Sequence, residues 1–329
     1  MFYGYKYIIL FVILGCNLHI KAQETYGVID FSANYMREQP SYSAELGNQC
    51  LMGTIVEILD CQEYWLKIKS PEPYIGWVNE MGVIKMSQLE LEKYLNAPKY
   101  ICTAFCSKIF SQPSESSEII SDLVIGDIIR VLYNKKKSGS NYEKVKKCGF
   151  LGVLMPSGKT GFVRKKDLMP FDFWTTNTDA SSENIVETAK KFLGVPYMWG
   201  GTSCKGVDCS GLTRMVWFMN GVLIPRDTGP QSRAGINIEI FDSDGNLDLS
   251  VLRQGDLLFF GKSSENGQPA KINHVGIYIG NSRFIHSSQV VRISSLQPGD
   301  VDYYSRVPVI VRRYIGNNGL ICIKDSPFY

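Results

Sequence analysis

The 329-residue chain carries 35 Lys and Arg against 32 Asp and Glu, a net charge of +3, and 44% of its residues are hydrophobic. So balanced a charge excludes a polybasic nucleic-acid binder, and the length exceeds one small domain, so two or three globular units are expected. Nine cysteines and only three histidines leave few places where thiol or imidazole chemistry could sit.

The N-terminus has the pattern of an export signal: Lys6, an apolar run from Tyr7 to Gly15, then small or polar residues ending at Ala22-Gln23. The run is too short to span a bilayer as a mature helix. Cleavage after Ala22 makes residues 1–22 a signal peptide. Ile13-Leu-Gly-Cys16 also resembles a lipoprotein signal, although Leu14 is unusual there, and that processing would leave a lipid anchor on Cys16. Either route places the protein outside the cytoplasm, in the periplasm or cell envelope or secreted.

From Gln23 to about Asp172, short β-prone runs alternate with Gly, Pro, Asn and Ser, the pattern of small β-barrels. The segment repeats internally: Gln39-Pro-Ser41 recurs as Gln112-Pro-Ser114, and Gly53-Thr-Ile-Val-Glu-Ile58 as Gly126-Asp-Ile-Ile-Arg-Val131. Each copy continues to a Tyr-containing strand, Tyr64–Ile68 or Tyr142–Val145, and closes with Gly76-Trp-Val78 or Gly161-Phe-Val163. That order resembles bacterial SH3 (SH3b) domains and implies one at residues 23–86 and another at 99–172. The second has a longer loop around 134–140, where Lys135–Lys137 is a solvated run, or around 151–159. Between them Ser87-Gln-Leu-Glu90 makes a capping box, and Leu89, Leu91, Tyr94 and Leu95 form an apolar stripe up to Pro98, predicting a connecting helix over 87–98.

A polar linker at 173–182 precedes a last domain, 183–329. Ile185, Val186, Ala189, Phe192 and Leu193 predict a helix stopped by Gly194 and Pro196. Leu212, Met215, Val216 and Met219 predict a second, beginning at Cys209 and stopped by Asn220-Gly221. At a helix start the unpaired N–H groups and the macrodipole favour a thiolate, which makes Cys209 a candidate nucleophile. A small core residue is the plainer explanation of any single cysteine. Cys204 is a rival in the preceding loop, without a helix terminus to activate it.

A thiolate needs a base that can also protonate a leaving amine, and imidazole suits that near neutral pH. His19 lies in the export segment, which leaves His274 and His286. They bracket two β-prone runs with a tight turn expected at Gly280-Asn281, so the rings should fall nearly opposite one another, roughly 5 Å apart across the ladder. One would serve as base and the other would orient it. Strands at 290–293 and 307–312 follow, so helices precede an antiparallel sheet in an α+β arrangement. Asp242–Asp248 has the look of a divalent-ion loop, but its closing glutamate is missing, and it is expected to be a surface turn.

With Cys16 and Cys209 set aside, seven cysteines remain: Cys50, Cys61, Cys102, Cys106, Cys148, Cys204 and Cys322. The number is odd, so several buried free thiols are expected, alongside one bridge. No C-x-x-C occurs and no histidine sits at ligand spacing from a cysteine pair, so neither a metal nor a cofactor is expected.

Pro196-Tyr-Met-Trp-Gly-Gly201, Asp208-Cys-Ser-Gly211, Gln254-Gly-Asp-Leu-Leu-Phe-Phe260, Asn273-His-Val-Gly-Ile277 and Phe284-Ile-His-Ser287 resemble, in order, the motifs of the NlpC/P60 family of papain-like cell-wall cysteine peptidases. The resemblance covers residues 180 to 315. It implies two SH3b barrels followed by a papain-like α+β domain, with Cys209, His274 and His286 catalytic and the Tyr197 hydroxyl near the oxyanion; a core aromatic is the alternative for Tyr197. This arrangement is similar to the γ-D-glutamyl-L-diamino acid endopeptidases that act on short murein peptides bearing a free L-Ala. In that subgroup an aspartate beyond the catalytic helix binds the amine. Asp227 fits, with Ser210 and Thr228 as polar neighbours, although it could instead cap a loop. The first barrel walls one end of the cleft there, with Trp65, Tyr74 and Trp77 as aromatic candidates. Expected partners are therefore peptidoglycan-derived peptides, bound by a monomer. The alternatives are a hydrolase or amidase acting on intact peptidoglycan and a non-catalytic wall-binding protein.

Overall fold

A computed structural model describes residues 25–71, 73–132, 149–263, 270–317 and 319–329. The export segment with Cys16 and His19, the Lys135–Lys137 run, the Tyr142–Val145 strand and Cys148 lie outside the described residues.

The β-prone runs of the first repeat form β1 (Tyr26–Ile29), β2 (Ala33–Arg37), β3 (Leu46–Leu51), β4 (Ile55–Gln62), β5 (Trp65–Lys69), β6 (Ile75–Asn79) and β7 (Val83–Met86). They make one antiparallel sheet in the order β3-β2-β6-β5-β4-β1-β7. Every strand contributes to a single core, from Ile29 and Met36 through Leu66 and Val78 to Val83, so the sheet must curl over itself. The second repeat supplies β8 (Lys99–Cys102), β9 (Cys106–Phe110), β10 (Ile119–Val124), β11 (Ile128–Val131), β12 (Phe150–Leu154), β13 (Thr160–Arg164) and β14 (Leu168–Pro170). Its order, β10-β9-β13-β12-β11-β8-β14, reproduces the first strand for strand.

The helix between the sheets runs from Gln88 to Leu95. Ser87 Oγ accepts from Glu90 N and Glu90 Oε2 accepts from Ser87 N at 2.9 Å, so both halves of the capping box are present. The stretch read as a polar linker is partly helical. Phe171 and Trp174, one turn apart, drive a helix over Phe171–Asn177: the two rings pack on each other, and Trp174 packs on Phe218.

In the last domain the helices Ser182–Lys190 and Cys209–Met219 pack against a six-stranded antiparallel sheet. The shorter strands in chain order are β15 (Thr202–Ser203), β16 (Gly206–Val207), β17 (Val222–Leu223) and β18 (Ile236–Asn237). The main sheet is then built from β19 (Leu257–Lys262), β20 (Lys271–Gly280), β21 (Arg283–Ser288), β22 (Val290–Ser295) and β23 (Ile310–Arg313), with β18 at one edge, and β24 (Ile321–Cys322) pairs with β17. The strand expected from residue 307 begins only at Ile310, because Pro308 has no N–H to give to a ladder. One core joins Leu212, Met215 and Phe218 of the Cys209–Met219 helix to Val275 and Ile277 of β20. It also takes in Leu51 from the first sheet and Ile101, Ile125 and Ile128 from the second. The three units therefore share buried surface.

Candidate active site

The Cys209–Met219 helix starts where Asp208 can cap it: Asp208 Oδ1 accepts the Gly211 N–H at 2.7 Å. Arg226, 2% exposed, grips the same carboxylate through Nη1 at 3.1 Å and Nη2 at 2.6 Å. Its other hydrogen bonds go to Ser210 Oγ and to Asn48 Oδ1 of the first sheet. Asn48 also accepts from the Thr202 hydroxyl, and Gln49 Oε1 from the Thr202 N–H. The helix start is thus fastened to the first sheet by a buried polar network.

The Gly-Gly turn has a steric reason. Gly200 has φ +72° and donates its N–H to Asp208 Oδ2 at 2.9 Å; a Cβ there would lie 2.3 Å from the Leu46 carbonyl oxygen. Only glycine lets β3 come so close.

The sulfur of Cys209 is buried, 8% exposed, and receives backbone N–H groups from Val275 and Ser210. The expectation that the helix terminus leaves it ionised does not hold. Burial is the largest influence, the Asp208 carboxylate acts in the same direction, and the thiol is pushed up to about 11 against the opposing N–H groups. The resting sulfur is a thiol that needs a base in place.

Val275, whose N–H acts on the Cys209 sulfur, follows His274 directly in β20. His274 Nε2 and His286 Nδ1 are 2.7 Å apart, which engages that nitrogen of His274 and leaves its Nδ1 for another partner. Burial lowers His274 to about 4 and His286 to about 3, with Arg306 and Arg292 reinforcing the first and His274 and Arg292 the second. Both rings are neutral near pH 7. His286 Nε2 is 3.0 Å from the buried Ser294 hydroxyl, a partner not anticipated from the sequence.

The histidines meet by a different register from the one expected. The turn residues are Asn281 and Ser282, both at positive φ, and a bulge lies between Tyr278 and Gly280. Continued from Ile277↔Ile285, this register sets Gly276, not His274, opposite His286. The rings touch diagonally along one face. A Cβ on Gly276 would come within 3.2 Å of His286 Cβ and 2.5 Å of Phe284, so the glycine clears the diagonal.

A cleft of about 400 Å³ opens beside the sulfur, lined by Tyr197, Cys209, Ser210, Asp227 and Thr228 from the last domain and by Glu38, Gly47 and Tyr74 from the first sheet. Burial, with the charges at Cys209 and Asp208, raises Tyr197 to about 12, so its phenol stays protonated and able to donate. The Ser210 hydroxyl is already engaged by Asp208 and Arg226, which suits it to holding the site together more than to touching a ligand. Asp227 precedes the short helix Thr228–Gln231, yet its carboxylate makes no capping hydrogen bond, and burial raises its pKa. The loop-capping alternative is thereby removed. Of the three aromatics considered for the first sheet, only Tyr74 lines the cleft; Trp65 and Trp77 are buried in the sheet. Glu38 carries no local signal in the sequence that sets it apart from other surface carboxylates.

Cys204 sits at the tip of the β15–β16 hairpin and does not line the cleft. Asp242 Oδ1 accepts backbone N–H groups of Asp244 and Asn246, closing a surface turn. Among the described residues no group of three or more His, Cys, Asp or Glu could hold a metal ion.

Comparison with known proteins matches residues 194–313 to the NlpC/P60 family and residues 32–83 to the bacterial SH3 domain. The chain is 29% identical over 282 residues to a gamma-D-glutamyl-L-lysine dipeptidyl-peptidase of Bacillus cereus, covering 82% of this chain and 76% of that one. It is 31% identical over 182 residues to a probable endopeptidase NlpC homolog of Haemophilus influenzae, covering 53% of this chain and 82% of the relative. A crystal structure of an NlpC/P60 family protein from Bacillus cereus superposes with a TM-score of 0.66 at 25% identity, over 88% of this chain and 99% of the other.

Proposed function

The chain belongs to the NlpC/P60 family and is a cysteine peptidase, and from that premise we propose that it hydrolyses the bond between γ-D-Glu and the diamino acid of short murein peptides whose N-terminal L-Ala is free. The observation that carries this reading is the carboxylate of Asp227, free of any capping bond, lining the cleft together with Glu38. Two carboxylates lining one cleft suit an ammonium group. A peptide whose alanine is still acylated would bury them unpaired, which costs binding. The relatives named for γ-D-glutamyl-L-lysine cleavage support the same bond.

In the chemistry proposed, His274 Nδ1 takes the Cys209 proton as the sulfur attacks the carbonyl carbon. The Cys209 N–H and the Tyr197 hydroxyl receive the oxyanion. His286, held by Ser294, steadies the ring and shares its charge, and His274 then returns the proton to the departing amine. Water releases the thioester. The protein is taken to be exported, so that it meets wall fragments, and its second sheet to be a second SH3b-like domain, on the strength of the identical strand order.

Mass spectrometry of products from L-Ala-γ-D-Glu-L-Lys, from the diaminopimelate form and from their N-acetylated versions tests the reading. Release of L-Ala-γ-D-Glu from the free peptides alone is expected. Equal turnover of the acetylated forms would remove the amine-recognition argument, and cleavage of intact wall with the free peptides untouched would favour the depolymerising alternative.

A further inference from the structure

Cys106 and Cys204 lie 98 residues apart in sequence, yet their sulfurs are 3.4 Å from each other. Cys106 is exposed at the first position of β9 in the second sheet, whereas Cys204 is buried at the tip of the β15–β16 hairpin in the catalytic domain. Both sides are held. Beside Cys106, Phe105 stacks edge-on against Phe192 at 5.3 Å. Beside Cys204, Lys205 Nζ reaches Asp122 of β10 at 2.9 Å and Ser32 Oγ of the first sheet at 2.7 Å. Closing the sulfurs to a bonded distance of about 2.0 Å requires a shift of little more than an ångström.

We propose that Cys106 and Cys204 are a disulfide site, closed by a small-molecule or protein disulfide, that covalently joins the second sheet to the hairpin leading into the catalytic helix. The accessible Cys106 reacts first. Its thiolate attacks one sulfur of the oxidant, R–S–S–R, forming a mixed disulfide and expelling one thiolate, which takes up the Cys106 proton. Cys204 then gives up its proton and attacks the Cys106 sulfur, expelling the second thiolate. The protein loses two electrons and two protons, and the oxidant becomes two R–SH. Burial pushes the Cys204 thiol well up, so it reacts only when its partner sulfur is presented at contact distance.

The link constrains the chain just where it enters the site. The hairpin continues through Val207, whose carbonyl accepts the Ser287 hydroxyl, to Asp208, the cap of the catalytic helix. Cys209 faces the cleft and stays reduced.

The full chain is treated with glutathione disulfide, blocked with N-ethylmaleimide and digested without reduction. The expected product is a peptide pair linked through Cys106 and Cys204, lighter by two hydrogen atoms and separated by dithiothreitol, with Cys209 in a maleimide-labelled peptide. The thermal midpoint of the wild type should rise by several degrees on oxidation, whereas Cys106→Ser should unfold at the same temperature oxidised or reduced. Recovery of both cysteines as maleimide adducts after oxidation, or linkage of either to a different cysteine, would overturn the proposal. A bridge that forms without moving the midpoint would overturn its role as a clamp.

Discussion

Replacing Arg226 by methionine tests the account of the site most sharply, because it removes a charge while keeping much of the volume. In the native protein the Asp208 carboxylate, 7% exposed, accepts two guanidinium hydrogen bonds together with the Gly200 and Gly211 N–H groups and the Ser210 hydroxyl. After Arg226→Met the anion stays buried with dipoles but no counter-charge, and Asn48 Oδ1 loses a donor. Breaking one side of a buried ion pair costs about 3–5 kcal/mol. Equilibrium urea unfolding, followed by tryptophan fluorescence, should show that loss in the unfolding transition. Adding Asp208→Asn removes the stranded charge and keeps a competent helix cap, so the double variant should recover roughly half of the deficit. If the single variant loses less than about 1 kcal/mol, or the second substitution deepens the loss, the network does not hold the helix start as argued.

Further outcomes follow from the same geometry. Cys209→Ala should lower turnover by about 10⁴-fold or more while leaving the unfolding midpoint nearly unchanged, checked by peptide hydrolysis and urea titration. His286→Ala should retain Cys209 alkylation by iodoacetamide yet lower kcat by about 100-fold, the range expected when a base loses its orienting partner. Asp227→Asn should weaken preference for the free over the acetylated peptide by roughly 30-fold, about 2 kcal/mol, appearing in KM more than in kcat. Both histidines are lowered on folding from 6.5, to about 4 and about 3, so between those values the unfolded chain binds more protons. Their stabilising contribution is therefore complete above pH 6.5 and falls as the pH drops, by up to about 2 kcal/mol per ring between pH 7 and 5. Urea midpoints at the two pH values, for the wild type and for His286→Asn, would show it, with the variant losing about half of the dependence.

The strongly local features were readable from the sequence. Ser87 with Glu90 named the connecting helix, Asn220-Gly221 ended the catalytic one, and the repeated Gln-Pro-Ser and Gly-x-Ile motifs foretold two sheets of one order. The histidine pair was legible too, but its register was displaced, because two adjacent positive-φ residues move the turn by one position. What could not be read depends on residues far apart in the chain. Glu38 reaches the cleft from the first unit, where Leu46 approaches Gly200, and Asn48 finds Arg226 across 178 residues. The charge state of Cys209 is not legible in the sequence for a related reason. A helix start is visible in sequence, whereas the desolvation that overrides it is a property of the assembled core.

The Leu46–Gly200 contact also bears on how such an enzyme could change its diet. One bank of the cleft belongs to the peptidase domain and the other to a neighbouring module, so the gap between them is an adjustable dimension, independent of the reacting atoms. Substitutions along that seam could lengthen or shorten the acceptable ligand without altering sulfur or imidazole.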